Sequence, residues 1–198
     1  MIKRILDILF IVISLPILLP VILFISFFLF WVSKNRIIFR QERMGFQGRT
    51  FMLYKFCSMN NKRDQNGYLL PDDLRLTRIG RFLRKTSMDE LPSLWNVIKG
   101  EMSLVGPRPL LVEYSKLYSN EQFRRHEVMP GVTGWAQING RNAITWEEKF
   151  KLDLWYLDNQ STWTDIKIII MTIVNVLYQK DISFTGHSTM PKFTGKDE

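Results

Sequence analysis

Two adjacent carboxylates, Asp89 and Glu90 in the run SMDELPSLWN, are the side chains of this sequence best suited to chemistry. Neighbouring carboxylates either share a divalent cation or divide their work, one attacking an electrophile while the other supports it. The same spacing has a structural reading. Ser87-x-x-Glu90 is a capping box, in which the serine caps a helix start and the glutamate reaches back to it. The two readings coexist, because a helix N-terminus also favours carboxylates and phosphates.

Arg108 lies between Pro107 and Pro109 in the tetrapeptide GPRP. Two prolines preset the backbone, so its guanidinium is presented at low entropic cost and suits a bidentate phosphate contact. The alternative is a proline-rich connector whose arginine is simply solvated. His126 and His187 stand alone without ligand spacing and are expected to be structural or exposed. The single cysteine, Cys57, excludes an intrachain disulfide and thiolate zinc clusters and fits a reducing, cytosol-facing domain.

The elements that must position these groups follow from hydrophobic period and punctuation. Residues 37–41 and 50–56 read as two strands joined by a turn at Gly45 to Gly48, and residues 60–76 as a polar loop. Arg78, Arg81, Arg84 and Lys85 recur opposite Ile79, Phe82 and Leu83, the pattern of an amphipathic helix able to lie on a headgroup layer or to show an ordinary solvated face. A helix from Asp89 to Lys99 should end at Gly100, and another near 110–128 should stop at Pro130 and Gly131. PGVTGWAQINGRN reads as a site-lining loop rather than core. Helices are expected at 145–158 and 164–179, followed by an irregular tail.

Residues 8–32 form an apolar stretch interrupted by Pro16 and Pro20. Its roughly 25 residues would reach about 38 Å as a helix, more than the ~30 Å hydrocarbon core requires. Each proline frees one carbonyl, those of Val12 and Pro16, and a bend is the cheaper way to satisfy them. Lys3 and Arg4 precede the stretch, while Lys34, Arg36, Arg40 and Arg43 follow it, so both flanks look cytoplasmic. A helix that enters the membrane, bends near Pro20 and returns to the same face satisfies both facts. The stretch is too long for a signal-peptide core and no cleavage site follows.

The expected fold is α+β and mostly helical: a re-entrant membrane helix over 1–35, a compact cytosolic domain over 36–180 with interfacial helices and a small β-hairpin, and an irregular tail over 181–198. The net charge of +8 suits an anionic surface such as phospholipid headgroups, a lipid phosphate or a nucleotide. No nucleic-acid motif is present, which leaves membrane phospholipid as the expected surface partner.

QERMGFQG, YKFCSM, SMDELPSLWNVIKGEMSLVGPRPLL, PGVTGWAQINGRN and WEEKFKLDLWY, in that order, resemble the bacterial sugar transferases that begin glycan assembly on a polyprenyl phosphate, the monotopic phosphoglycosyl transferases. The likeness runs from the membrane segment to about residue 178 and is greatest to the small, core-only members, of the kind that transfer phospho-N,N′-diacetylbacillosamine in bacterial N-linked glycosylation. Leu19-Pro20 stands where the family often has Ser-Pro, which puts the bend angle rather than the activity in question.

The resemblance implies transfer of a sugar 1-phosphate from a UDP-sugar to undecaprenyl phosphate at the cytosolic face of the bacterial inner membrane. UMP is released, and the reaction passes through a phosphosugar-aspartyl enzyme that needs Mg²⁺. It makes Asp89 the nucleophile, Glu90 its partner in metal binding, Arg84 and Arg108 phosphate-proximal cations, and Arg141 a contact to the nucleotide-sugar diphosphate. A non-enzymatic membrane-surface scaffold and a nucleotide-sugar hydrolase are the rival expectations. A scaffold has no need of the acidic pair, and a hydrolase has no need of the lipid.

Overall fold

The structure, a computed structural model, describes residues 2–32, 37–140, 144–178 and 192–195. Strands β1 (Ile38–Met44) and β2 (Thr50–Phe56) pair antiparallel, with Met44 opposite Thr50 and Ile38 opposite Phe56. A single 3-10 turn, Phe46–Gly48, closes the hairpin through left-handed backbone at Gln47 and Gly48.

The basic segment forms α2 (Arg78–Lys85), whose first turn is capped by the Thr77 hydroxyl accepting from Gly80 N. Its expected apolar face divides: Leu83 is buried while Phe82 is exposed. Gly80 allows α2 to press onto the chain after β2, since a Cβ there would fall 1.8 Å from the Ser58 carbonyl oxygen. The helix expected over 89–99 is a 3-10 turn, Met88–Ser93, followed by α3 (Leu94–Lys99), which ends at left-handed Gly100. Pro92 has no N–H to return to Met88, so the first turn cannot close as an α-helix.

Two further expectations are corrected. PGVTG is not a loop: Gly131–Thr133 forms β4, parallel to β3 (Ser103–Val105), and Gly131 is buried. Glycine makes this possible, because a Cβ on Gly131 would lie 2.1 Å from the backbone nitrogen of Gly106. The region 110–128 is broken into a 3-10 turn (Val112–Lys116), one α-turn (Asn120–Phe123) and a second 3-10 turn (Arg124–Glu127). Ser119 starts a new helix there through a capping box with Gln122, as a short hydroxyl side chain in mid-helix tends to do.

Helices α4 (Trp146–Asp158) and α5 (Thr162–Tyr178) lie where the sequence puts them. Thr145 and Glu148 form a full capping box at the start of α4. Trp155 stacks on Trp135 with ring centroids 4.2 Å apart. Trp146 and Phe150 join an aromatic cluster with Tyr114 and Phe193. Residues 192–195 carry no helix or strand, yet Phe193 is buried, so this part of the tail is docked. Arg141 and His187 lie outside the described residues.

Helix α1 (Ile2–Val32) continues through Pro16 and Pro20 and is long and apolar enough to cross a membrane. The Ser14 hydroxyl donates to the Ile11 carbonyl, not to the Val12 carbonyl freed by Pro16. Its two halves both rest on the domain. Ile11 packs in a core cluster with Val97, Tyr156 and Ile168, whereas Ile25 and Leu29 pack with Phe56 and Leu83. Polar contacts secure the first turns: Asp7 accepts from Ser103 Oγ at 2.7 Å and Leu104 N at 3.3 Å, and Arg4 donates to the carbonyls of Val97 and Ile98.

Candidate active site

Ser87 joins α2 to the Met88–Ser93 turn in left-handed backbone, φ 56°, and its side chain makes no capping bond. The capping-box expectation therefore fails. Glu90 turns instead to two cations: Lys55 Nζ at 2.8 Å, and Arg108, whose Nη2 and Nη1 reach the two carboxylate oxygens at 2.5 and 3.3 Å. Charge-assisted hydrogen bonds are about twice as strong as neutral ones, so a carboxylate with two cations in reach does not settle for a serine N–H.

Each partner arrives on a different element. Strand β2 places Lys55 on the same side as buried Leu53 by the two-residue period of a strand. Strand β1 brings Arg43, and the loop after β3 brings Arg108. Together Arg43, Lys55, Glu90, Ser93, Arg108 and Gly131 line most of a cavity beside the hairpin. Glu90 lines it and Asp89 does not, so the two neighbours diverge. Arg84 reaches the group from α2, anchored by its Nε donating to Ser58 Oγ at 3.0 Å, an approach that Gly80 permits.

Electrostatics separate the pair further. Burial, then the negative charge of Glu90, pushes the Asp89 carboxyl up to about 6, against the opposing pull of Lys55, Arg108 and Arg84. Burial would also raise Glu90, but Arg108 and Lys55 outweigh it and hold that carboxyl well below the usual range. Burial and the charge of Arg108 lower Lys55, and the same two causes push Arg43 down to about 10. Four cations thus surround one permanently ionised carboxylate and one that titrates near neutrality. The surplus positive charge favours an anionic ligand.

Among the described residues, no hydrogen bond or ion pair reaches the Asp89 carboxylate, which is 8 % exposed. A carboxylate so placed, once ionised, has the chemistry to attack an electrophile, since no partner competes for its oxygens. Also among the described residues, no group of three His, Cys, Asp or Glu comes together to cage a metal. Asp89 and Glu90 remain able to hold a cation of the Mg²⁺ kind, which takes one or two carboxylates and completes its shell with water and phosphate. Glu90 is the weaker donor of the two, because Lys55 and Arg108 already occupy its oxygens.

Of the site residues read from the sequence, Asp89, Glu90, Arg84 and Arg108 are brought together. His126 is buried, shares a hydrogen bond with the Gly45 carbonyl through Nδ1, and is pushed down to about 4 by burial and by Arg125; it is structural. The sequence does not single out Lys55, and it offers Arg43 only as a charge flanking the apolar stretch, not as a site residue. A lysine two positions from a core leucine on one strand is the signal that would have found the first.

The bacterial sugar transferase family profile matches residues 1–179. EpsL of Bacillus subtilis, an uncharacterized sugar transferase, is 56 % identical over 162 residues, covering 82 % of this chain and 80 % of that protein. A UDP-glucose:undecaprenyl-phosphate glucose-1-phosphate transferase of Xanthomonas campestris is 42 % identical over 181 residues, 85 % of this chain and 37 % of that protein. A UDP-N-acetylgalactosamine-undecaprenyl-phosphate N-acetylgalactosaminephosphotransferase of Aeromonas hydrophila is 38 % identical over 184 residues, 89 % of this chain and 44 % of that protein. The chain spans less than half the length of these last two relatives. An acidic pair set among cations, the apolar N-terminal helix and the matches along nearly the whole sequence lead to one assignment: the chain belongs to the bacterial sugar transferase family.

Proposed function

We propose that this protein is a phosphoglycosyl transferase that moves a sugar 1-phosphate from a UDP-sugar to undecaprenyl phosphate, with Asp89 as the nucleophile. The observation that carries the reading is the contrast within the acidic pair. Glu90 is neutralised by Lys55 and Arg108, while Asp89 is buried, unpaired and able to ionise near neutral pH. A carboxylate approaches a diphosphate only where positive charge offsets the repulsion.

In the first step an Asp89 oxygen attacks the phosphorus that bears the sugar. The bond to the bridging oxygen breaks, UMP departs, and a phosphosugar-aspartyl acyl phosphate, a mixed anhydride, remains. In the second step an oxygen of the lipid phosphate attacks the same phosphorus and Asp89 leaves as the carboxylate. Arg108, Lys55 and Arg43 sit where they can take up charge on the phosphate oxygens, and Arg84 balances Asp89. Mg²⁺ bound at Asp89, with Glu90 close by, would supply Lewis-acid neutralisation of the phosphates. Arg141 is assigned to the nucleotide-sugar diphosphate by family resemblance alone.

Helix α1 is proposed to enter the bacterial inner membrane from the cytosol and return to the same face. The support is that both its halves rest on one domain, Asp7 and Ile11 near one end and Ile25 and Leu29 near the other. The relatives' names span glucose and N-acetylgalactosamine, so the sugar is best found by trial. The test is UMP release from a panel of UDP-sugars, with and without undecaprenyl phosphate and Mg²⁺. Sustained release that requires the lipid supports the transferase. Sustained release without the lipid would make the protein a hydrolase, and no release would leave a scaffold.

A further inference from the structure

The most deeply buried ion pair among the described residues has no part in the chemistry proposed above. Arg125 and Asp153 meet at 2.6 Å, with side chains 1 % and 2 % exposed. Both Nε and Nη2 of Arg125 donate to one oxygen of Asp153. Such a pair is poor value as a stabiliser, because the cost of removing two charges from water roughly cancels their attraction. Its other contact suggests what it does. Arg125 Nη2 also donates to the backbone carbonyl of Arg108 at 2.8 Å.

The segment that presents Arg108 needs such outside help. Pro107 and Pro109 have no N–H, so the loop holds itself poorly and offers its carbonyls as acceptors. Four consecutive carbonyls are taken up by other elements. Gly131 N donates to Pro107 at 2.9 Å, Arg125 to Arg108 at 2.8 Å, Arg43 Nη1 to Pro109 at 3.4 Å, and Met44 N to Leu110 at 3.1 Å. Only the Arg125 contact falls on the residue whose guanidinium grips Glu90. Its own position is fixed by Asp153 on α4, a helix held by a full capping box at Thr145 and by Phe150 and Tyr156 in the core.

We propose that Arg125 and Asp153 are positioning residues, which act by clamping the backbone of Arg108 so that its side chain meets Glu90 and the phosphate in one geometry. The claim rests on the transferase reading for its kinetic consequence, but not for its structural one. A misplacement of even 1 Å in such a group costs on the order of a hundredfold in rate.

The decisive variant replaces both charges, Arg125→Met with Asp153→Leu, so that no lone buried charge is left behind. Lys149, which burial and then Arg108 push down to about 8, can shed its proton when Asp153 is gone. A purely structural pair predicts a lower melting temperature and unaltered turnover per folded molecule. Positioning predicts an unchanged or higher melting temperature and a fall in kcat of about ten- to a hundredfold, with little change in KM. In an Arg108→Ala background the same double replacement should then cost less than about twofold, because the group it positions is absent. Equal losses in both backgrounds, or a loss that tracks melting temperature, overturn the proposal. Arg125→Lys, which keeps the charge but has one donor centre for two acceptors, should give the same pattern in milder form. Should the unmodified protein release no UMP, the transferase reading falls. Binding of inorganic pyrophosphate by the same four proteins then decides the positioning claim, with weakening only where Arg108 is present as the supporting result.

Discussion

Arg108 and Glu90 are joined by two contacts, Nη2 to Oε1 at 2.5 Å and Nη1 to Oε2 at 3.3 Å, and Lys55 adds a third at 2.8 Å. The pairing is selective within a dipeptide: among the described residues Glu90 takes the cations, and Asp89, one residue earlier, is ion-paired with none. This division is what makes two adjacent carboxylates chemically unequal, as burial and a like charge raise one while close cations lower the other.

Asp89→Asn is expected to abolish UMP release while leaving the protein folded, because the amide keeps the shape and loses the nucleophilic charge. The unmodified protein, quenched rapidly after mixing with UDP-sugar alone, should carry a phosphosugar mass increase on Asp89. Retention of turnover in a folded Asp89→Asn protein would remove Asp89 from the mechanism.

The same substitution should raise stability at neutral pH. The folded-state pKa of Asp89 is raised from 3.8 to about 6, so between those values the folded protein binds more protons than the unfolded chain and stability falls as pH rises. The penalty is fully present above about pH 6 and absent below about pH 4, with an upper size of about 3 kcal/mol. Denaturant curves of the two proteins should therefore diverge between pH 4 and 6. Parallel curves across that range would contradict the raised carboxyl.

Activity should follow the same group. If Asp89 must be ionised, kcat/KM declines as pH drops through about 6. Lys55→Met removes a cation that favours the ionised form, so the acid limb should move to higher pH. A limb that stays in place, or moves down, would mean that another group controls it.

Ser87→Gly should stabilise the protein by about 1 kcal/mol, since Ser87 holds φ 56° without a capping bond to compensate and glycine adopts that backbone freely. A capping box at Ser87 would predict instead a small loss, a few tenths of a kcal/mol. The sign of the change in urea midpoint separates the two.

Cysteines placed at Ile2 and Arg40 in a Cys57→Ser background should react with impermeant reagent from the same side of sealed vesicles. Replacing Asp7 with leucine, together with Pro16→Leu and Pro20→Leu, removes the bond to Ser103 and both breaks in the helical ladder, and should let Ile2 reach the far side. Opposite-side labelling in the otherwise unmodified protein would reject the re-entrant helix.

Much of this protein is written in local pattern. The hairpin and its turn, the basic helix α2, helices α4 and α5, the apolar N-terminal helix and the candidacy of Asp89, Glu90 and Arg108 are legible because each depends on residues a few positions apart, and Arg84 is added by family resemblance. What the sequence left undecided, or answered wrongly, depended on distance along the chain. Ser87 and Glu90 have capping-box spacing, but Lys55, 35 residues away, and Arg108, 18 away, take Glu90 instead. PGVTG reads as a loop until β3 offers it a partner that only glycine can approach. The raised pKa of Asp89 and the grip of Arg125 on Arg108 have no local signature, because burial and long-range hydrogen bonds exist only once the chain has closed on itself. Local pattern supplied the reactive groups, and tertiary contact decided which carboxylate is neutralised and which is left to react.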